Sequence, residues 1–149
     1  MRILVDADAC PVVNETIRLA AQHHVPVVLF CDAAHEMTRE GASTITVVKG
    51  ADSADFALVN QIEPLDIVVT QDYGLAAMAL AKRARVLNQN GMRYTEENID
   101  ALLDSRHTAK KIRRSGGRLK GPPKREGSQD EAFTSAMTAL LQGEATDRT

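Results

Sequence analysis

The 149 residues suffice for one domain with a full hydrophobic core, and their 44% hydrophobic and 26% charged residues are ordinary for a globular protein. No apolar run approaches the roughly 18 residues of a membrane span, and the first one is interrupted too early for a signal peptide. Aromatic residues make up 3% of the chain and none is Trp, which argues against a base-stacking platform.

The net charge of −2 conceals a basic segment, residues 106–125. Nine of the 18 Lys and Arg lie in it without any acid, so the rest of the chain has a formal charge of −11. An acidic body with one basic segment indicates a polyanionic partner for that segment. A solvated loop is the alternative interpretation.

The chain begins with a short, branched-rich apolar run at residues 3–5, which predicts a buried strand. Asp6 and Asp8 follow this strand. Pro11 is expected as the first residue of a helix that ends near His24, because proline has no N–H to lose at that position.

Strands and helices then alternate along the chain. Strands are predicted at residues 25–31, 44–48, 66–70 and 85–88, and helices at 52–62, 75–84, 96–103 and 128–141. This alternation predicts an α/β fold, a three-layer α/β/α sandwich with a mainly parallel sheet. Residues 1–142 form one domain in this interpretation, and residues 143–149 a frayed tail.

Two helices carry capping signals, Thr95 before one and a capping box of Ser128 and Glu131 at the other. Glycine and proline between them, at residues 116–117 and 121–123, are expected to break regular structure in the basic segment. Without a secretory signal, Cys10 and Cys31 are expected to be reduced thiols of a cytoplasmic protein.

Five aspartates are expected at the edge where the carboxyl ends of parallel strands meet. Asp6 and Asp8 end the first strand, Asp72 follows a later one, and Asp52 and Asp55 begin the helix after the third strand. Helix capping is the alternative role of the last two. Carboxylate oxygens suit a hard cation, and no Cys/His cluster of the kind zinc prefers is present, so Mg²⁺ or Mn²⁺ is the expected ion.

The sequence resembles the YaiI/YqxD family over nearly its whole length. The resemblance lies in residues 5–11 (VDADACP), 50–55 (GADSAD), 66–76 (DIVVTQDYGLA), 113–118 (RRSGGR) and 121–123 (GPP). That family is grouped with PIN-like domains, so the resemblance implies a PIN-like sandwich. Many PIN relatives are Mg²⁺- or Mn²⁺-dependent ribonucleases with a cluster of acids.

By this resemblance Asp6 matches the first-strand acid, Asp55 together with Asp52 the helix acid, and Asp72 the acid after the later strand. Many PIN domains carry a further acid after the next strand, where this chain reads NQN at residues 88–90. Either Asp8 takes that place or the site holds one metal ion.

The expected function is therefore hydrolysis of phosphodiester bonds by a metal-dependent nuclease, on RNA rather than DNA. The acids that would hold metal and orient water are Asp6, Asp8, Asp55 and Asp72. The residues expected to contact substrate are Thr70, Gln71, Arg106, Arg113, Arg114 and Arg118.

Two other functions fit parts of the sequence. One is an RNA-binding or regulatory module without catalysis, since a fold does not fix a function. The other is a phosphatase of the haloacid-dehalogenase type, with Asp6 and Asp8 as its acid pair and Thr70 as its phosphate-binding hydroxyl. The lysine and the late acidic pair of that fold are missing at the required places.

Overall fold

The computed structural model describes residues 1–8, 10–47, 53–114 and 124–143. These ranges hold six strands and five helices: β1 (Ile3–Asp6), α1 (Val13–Gln22), β2 (Val27–Asp32), β3 (Ser43–Val47), α2 (Ser53–Gln61), β4 (Ile67–Val69), α3 (Tyr73–Ala81), β5 (Arg85–Leu87), β6 (Arg93–Tyr94), α4 (Glu96–Arg114) and α5 (Gly127–Leu141). A 3₁₀ turn, Ala33–His35, lies in the loop after β2.

The strands form one sheet in the order β3-β2-β1-β4-β5-β6. The first five strands run parallel, and β6 is antiparallel to β5. The predicted α/β class with a mainly parallel sheet is confirmed. The strand order reverses between β1 and β4, and in open sheets of this kind a crevice forms at the carboxyl ends of the two strands at such a reversal.

The helices form two layers because successive residues of a strand face opposite sides of the sheet. Ile3 and Val5 pack in one hydrophobic cluster with α1 and α5. Leu4 packs in the other, with α2, α3 and the start of α4. The same alternation places Asp6 on the side of the sheet that α2 and α3 cover.

Helix α1 begins two residues later than the sequence predicts. Its N-cap is Val12, and Pro11 is a turn residue that directly follows a turn closed by the Cys10 N–H, which donates to the carbonyl of Ala7 at 3.1 Å. The Thr16 hydroxyl donates to the Val12 carbonyl at 2.7 Å and closes the first helical turn. The prediction that Pro11 begins the helix is wrong because the fixed φ of proline serves the preceding turn equally well.

Helix α5 begins earlier than the sequence predicts. The expected box of Ser128 and Glu131 is wrong, because Glu126 is the N-cap and its backbone N–H donates to Gln129 Oε1 at 2.8 Å. The start is shifted because Glu126 and Gln129 form the capping box instead. Arg125, directly before the cap, is bound to Asp130 in the first turn of the helix, with Nε and Oδ1 2.7 Å apart.

Helix α4 is much longer than predicted and contains residues 106–114 of the basic segment. Thr95 caps it as expected, since the Asn98 N–H donates to Thr95 Oγ1 at 3.2 Å. The expected breaks at residues 116–117 and 121–123 lie outside the described residues, as does the tail beyond Gly143. None of the helices in the described part of the chain combines the length and apolar content that crossing a membrane requires.

Candidate functional site

Asp6 and Thr70 lie side by side where the strand order reverses. The register that pairs Val5 with Val69 brings them together. Thr70 Oγ1 donates to Asp6 Oδ2 at 2.8 Å and accepts from the Asp72 backbone N–H at 3.0 Å. Thr70 is only 2% exposed. This one hydroxyl therefore connects β1 to the start of α3 in a place that water barely reaches.

Asp72 is the N-cap of α3. Its Oδ1 accepts a hydrogen bond from the Leu75 N–H at 3.1 Å, which satisfies one of the unpaired donors at the helix start. Tyr94 supports the same corner, since its hydroxyl donates to the Thr70 carbonyl at 3.2 Å. Its ring meets that of Tyr73 edge-on, with centroids 6.1 Å apart. The position of Asp72 is thus fixed from both β6 and α3.

Four of the five predicted acids act on one another electrostatically. Burial, together with the negative charges of Asp55, Asp72 and Asp8, raises the pKa of Asp6 from 3.8 to about 6, against the lowering effect of the Thr70 hydrogen bond. These acids come from three separate segments of the chain. The fold therefore gathers negative charge around Asp6.

Asp8 also holds the end of β1 against the end of β2. Its Oδ2 accepts a hydrogen bond from the Asp32 backbone N–H at 3.3 Å. Because this contact fixes the loop after β1, Asp8 has a structural role beside any role toward a ligand. Asp55 lies half-buried in the first turn of α2. The apolar residues Leu58, Val59 and Ile62, in and directly after this helix, are buried.

A cavity of about 200 Å³ opens beside these carboxylates, between the first turn of α2 and α3. Its lining residues are Asp55, Phe56, Asp72, Gly74, Leu75 and Met78. Phe56 is 57% exposed and Met78 40% exposed. The cavity thus joins two carboxylates to an apolar wall that remains open to solvent.

The acids fit a divalent cation by their chemistry, since oxygen donors with excess negative charge suit Mg²⁺ or Mn²⁺. The arrangement of their side chains fits a metal ion less well than their chemistry does. Within the described residues, no three Asp, Glu, His or Cys side chains are arranged so that they could hold a metal ion. Binding an ion between Asp6, Asp55 and Asp72 therefore requires side-chain movement toward it.

Cys10 lies shortly after β1 and is partly buried. Burial, with smaller contributions from the charges of Asp6 and Glu15, raises the pKa of its thiol to about 11, against the lowering effects of a backbone hydrogen bond at Val12 and of the positive charge of Arg125. Cys10 therefore lies within electrostatic range of both Asp6 and Arg125. Both it and Cys31 are free thiols.

Arg125 binds the turn that follows β5. Its two terminal nitrogens donate to Asn90 Oδ1 and to the Gln89 carbonyl, each at 2.7 Å, in addition to its contact with Asp130. The last residue of the basic segment is thus fixed at the carboxyl edge of the sheet. Its position in sequence, beside a helix start, gives no sign of this contact, and it was not among the candidates.

The structure gives less detail on the remaining candidate residues. Gln71 is exposed directly after Thr70. Arg106, Arg113 and Arg114 lie on α4, with side chains outside the described part of the chain, and Asp52 and Arg118 lie wholly outside it.

Asn88 directly follows β5, where the resemblance to PIN domains leads one to expect a further acid. Its Oδ1 accepts from the backbone N–H groups of Asn90 and Met92, at 2.8 and 2.9 Å. This residue closes the turn between β5 and β6 and has a structural role.

Comparison with known proteins gives full-length relatives. A "UPF0178 protein" of Exiguobacterium sibiricum is 53% identical over 141 residues, covering 95% of this chain and 96% of the relative. Proteins of the same name from Ruminiclostridium cellulolyticum and Lachnoclostridium phytofermentans are 48% and 47% identical over 145 residues. The match to the first covers 97% of this chain and 95% of that relative. The match to the second covers 95% of this chain and 97% of that relative.

No solved structure matches the chain, so the resemblance to PIN domains stays a prediction. The family profile described as "Uncharacterized BCR, YaiI/YqxD family" matches residues 4–143, from the first strand to the last helix. The match includes every acid and arginine discussed above, and the chain belongs to the YaiI/YqxD family.

Proposed function

We propose that this protein is a nuclease that depends on Mg²⁺ or Mn²⁺ and hydrolyses phosphodiester bonds, in RNA rather than DNA. The observation that carries the proposal is the gathering of carboxylates at one corner: the buried Thr70 hydroxyl contacts Asp6 and the backbone of Asp72, and Asp55 and Asp72 line one cavity. Burial and the charges of Asp55, Asp72 and Asp8 raise the pKa of Asp6. A cation between these groups would relieve both their repulsion and the cost of burying Asp6.

Asp6, Asp55 and Asp72 would hold the ion, with Asp8 beside them. When bound, the ion supplies a Lewis acid for a phosphoryl oxygen and lowers the pKa of a coordinated water. Thr70 keeps Asp6 oriented through its 2.8 Å hydrogen bond. The backbone of Asp72 is held by the same hydroxyl, so two of the acids are positioned by one buried group.

The basic segment supplies the second half of the proposal. Its first part extends α4, and its last residue, Arg125, is bound at the turn after β5. That turn lies at the same sheet edge as the carboxylates, because β1, β4 and β5 are parallel. A polyanion held by this segment would therefore lie close to Asp6 without any reading of its sequence.

The test is cleavage of labelled single-stranded RNA by the purified chain in Mn²⁺. Asp6→Asn and Asp72→Asn are expected to abolish cleavage, because each removes charge and retains shape. Asp100→Asn, an exposed site on α4, is the matched control and is expected to cleave normally. Undiminished cleavage by both site variants would show that these carboxylates are not its source.

A second candidate is an RNA-binding module without catalysis. The absence of any ready arrangement of three metal-holding side chains in the described residues favours it. Calorimetry with Mn²⁺ and anisotropy with labelled RNA separate the two. Tight RNA binding without turnover in any divalent ion would support the module and contradict the nuclease.

A further inference from the structure

The cavity between α2 and α3 has an apolar wall that the carboxylates do not explain. Phe30 and Phe133 are 1% and 0% exposed, whereas Phe56 is 57% exposed. Met78, across the cavity, is 40% exposed. Exposed apolar side chains are common singly, but these two share one cavity with two acids at the edge where strand order reverses.

We infer that this cavity, about 200 Å³ in volume, binds one unpaired nucleobase of a single-stranded nucleic acid, with Phe56 stacking on the base and Met78 closing the other side. This inference rests on the proposed function, because the nucleic acid must first be the partner. It places the nucleotide next to the carboxylates and makes the substrate single-stranded, since a base inside a duplex cannot enter the cavity.

The size and chemistry of the cavity favour this occupant. Pockets for drug-sized ligands measure roughly 300–1,000 Å³, so this cavity suits a single small ring system. An apolar protein segment pressed into it would bury Asp55 and Asp72 without offering them side-chain donors. A nucleobase offers both a flat π-face for Phe56 and edge N–H groups that carboxylates accept.

The aromatic shortage in the sequence does not oppose this inference. A general stacking platform needs several exposed aromatic rings along a groove, and in the described residues Phe56 is the exposed phenylalanine. The ring of Phe56, beside the carboxyl edge of the sheet, can stack on one base. The expected contact is therefore local, and backbone contacts to the basic segment provide the rest of the binding.

The test measures anisotropy of fluorescein-labelled single-stranded RNA without added divalent ion, so that turnover does not consume the probe. Phe56→Ala is expected to weaken binding by about 5- to 150-fold, the equivalent of ~1–3 kcal/mol for one stacked base. Phe56→Tyr is expected to bind like wild type. The same oligonucleotide without bases is expected to bind wild type and Phe56→Ala equally.

Leu65→Ala is the matched control, because Leu65 is 56% exposed but precedes β4 at the opposite end of the sheet. Equal binding of base-containing RNA by wild type and Phe56→Ala would overturn the inference. So would a change in sedimentation of Phe56→Ala without loss of RNA binding, which would identify the face as a contact between copies.

The failure of this inference can be told apart from failure of the proposed function. If Phe56→Ala binds RNA normally while Asp6→Asn abolishes cleavage, the nuclease proposal is supported and the base site is contradicted. If wild type neither binds single-stranded RNA nor cleaves it in Mn²⁺, both proposals are contradicted. Equal weakening for RNA and DNA of one sequence supports a base contact, because both present the same π-face.

Discussion

Asp6 and Thr70 lie on adjacent parallel strands and share a hydrogen bond of 2.8 Å at the point where the strand order reverses. This bond opposes the rise in the pKa of Asp6 that burial and the neighbouring acids cause. The same hydroxyl accepts from the backbone of Asp72. Thr70 therefore favours the charged form of one candidate metal ligand and holds the backbone of another.

Thr70→Val is expected to raise the pKa of Asp6 above about 6, its value in the wild type, because the charged form loses its donor. It also leaves the Asp72 N–H without its acceptor, so the free energy of unfolding is expected to fall by about 1–3 kcal/mol. Carboxyl-carbon NMR titration and urea unfolding check the two effects. Thr70→Ser keeps the hydroxyl, and an equal change in that variant would contradict the role given to it.

Asp6→Asn is expected to change how stability depends on pH. The folded-state pKa of Asp6, about 6, lies above its ordinary value of 3.8, so the folded protein binds this proton more tightly. Its contribution to stability is full below about pH 4 and is lost as the pH rises through 6.

In metal-free buffer at pH 7, Asp6→Asn is therefore expected to be more stable than wild type by on the order of 2 kcal/mol. The two proteins should converge as the pH falls to 4. Urea unfolding between pH 4 and 8 measures the difference. A constant difference at every pH would show that Asp6 does not titrate in this range.

Asp72 has two roles that substitution can separate. Asp72→Asn keeps an N-cap oxygen for the Leu75 N–H, whereas Asp72→Ala removes it and is expected to cost about 1 kcal/mol. Both remove the charge and should lose any stabilisation by Mn²⁺, which at one hundred times Kd would be about 2.7 kcal/mol in wild type. Thermal unfolding with Mn²⁺ and with chelator measures both effects. Stabilisation by Mn²⁺ retained in both variants would remove Asp72 from the ligand set.

Arg125→Ala is expected to lower the free energy of unfolding by about 1–3 kcal/mol, since it breaks the contacts to Gln89, Asn90 and Asp130. Arg125→Lys should lose most of the same stability, because an ammonium cannot reproduce the planar fork. Urea unfolding and labelled-RNA binding are the measurements. Lys124→Ala, one residue earlier and exposed, is the control, and an equal stability loss there would contradict the anchoring role.

Much of the sheet can be predicted from short stretches of the sequence. Residues 3–5 and 67–69 read as strands because both are buried on two faces and carry continuous apolar runs. Parallel pairing then brings Asp6 and Asp72 to one edge. Helix starts were less predictable: Pro11 suits a turn as well as a helix, and Glu126 forms a capping box with Gln129 although glutamate is an unusual N-cap residue.

The features that sequence did not reveal depend on contacts distant along the chain. Strand β6 has two residues, too few for any periodicity, and Tyr94 becomes important only through its bond to Thr70. Arg125 reaches Gln89 and Asn90 across 35 or more residues. The cavity at Phe56 likewise forms between α2 and α3, so the sequence of either helix alone does not indicate it.

The first strand of the chain occupies the middle of the sheet, and this has a consequence for how the protein is made. As the chain leaves the ribosome, β1 can pair with β2 early but must wait for β4, whose residue Ile67 pairs with Ile3. Such a distant pairing slows folding. The carboxylates therefore come together late in folding, and they repel one another only after most of the protein has folded.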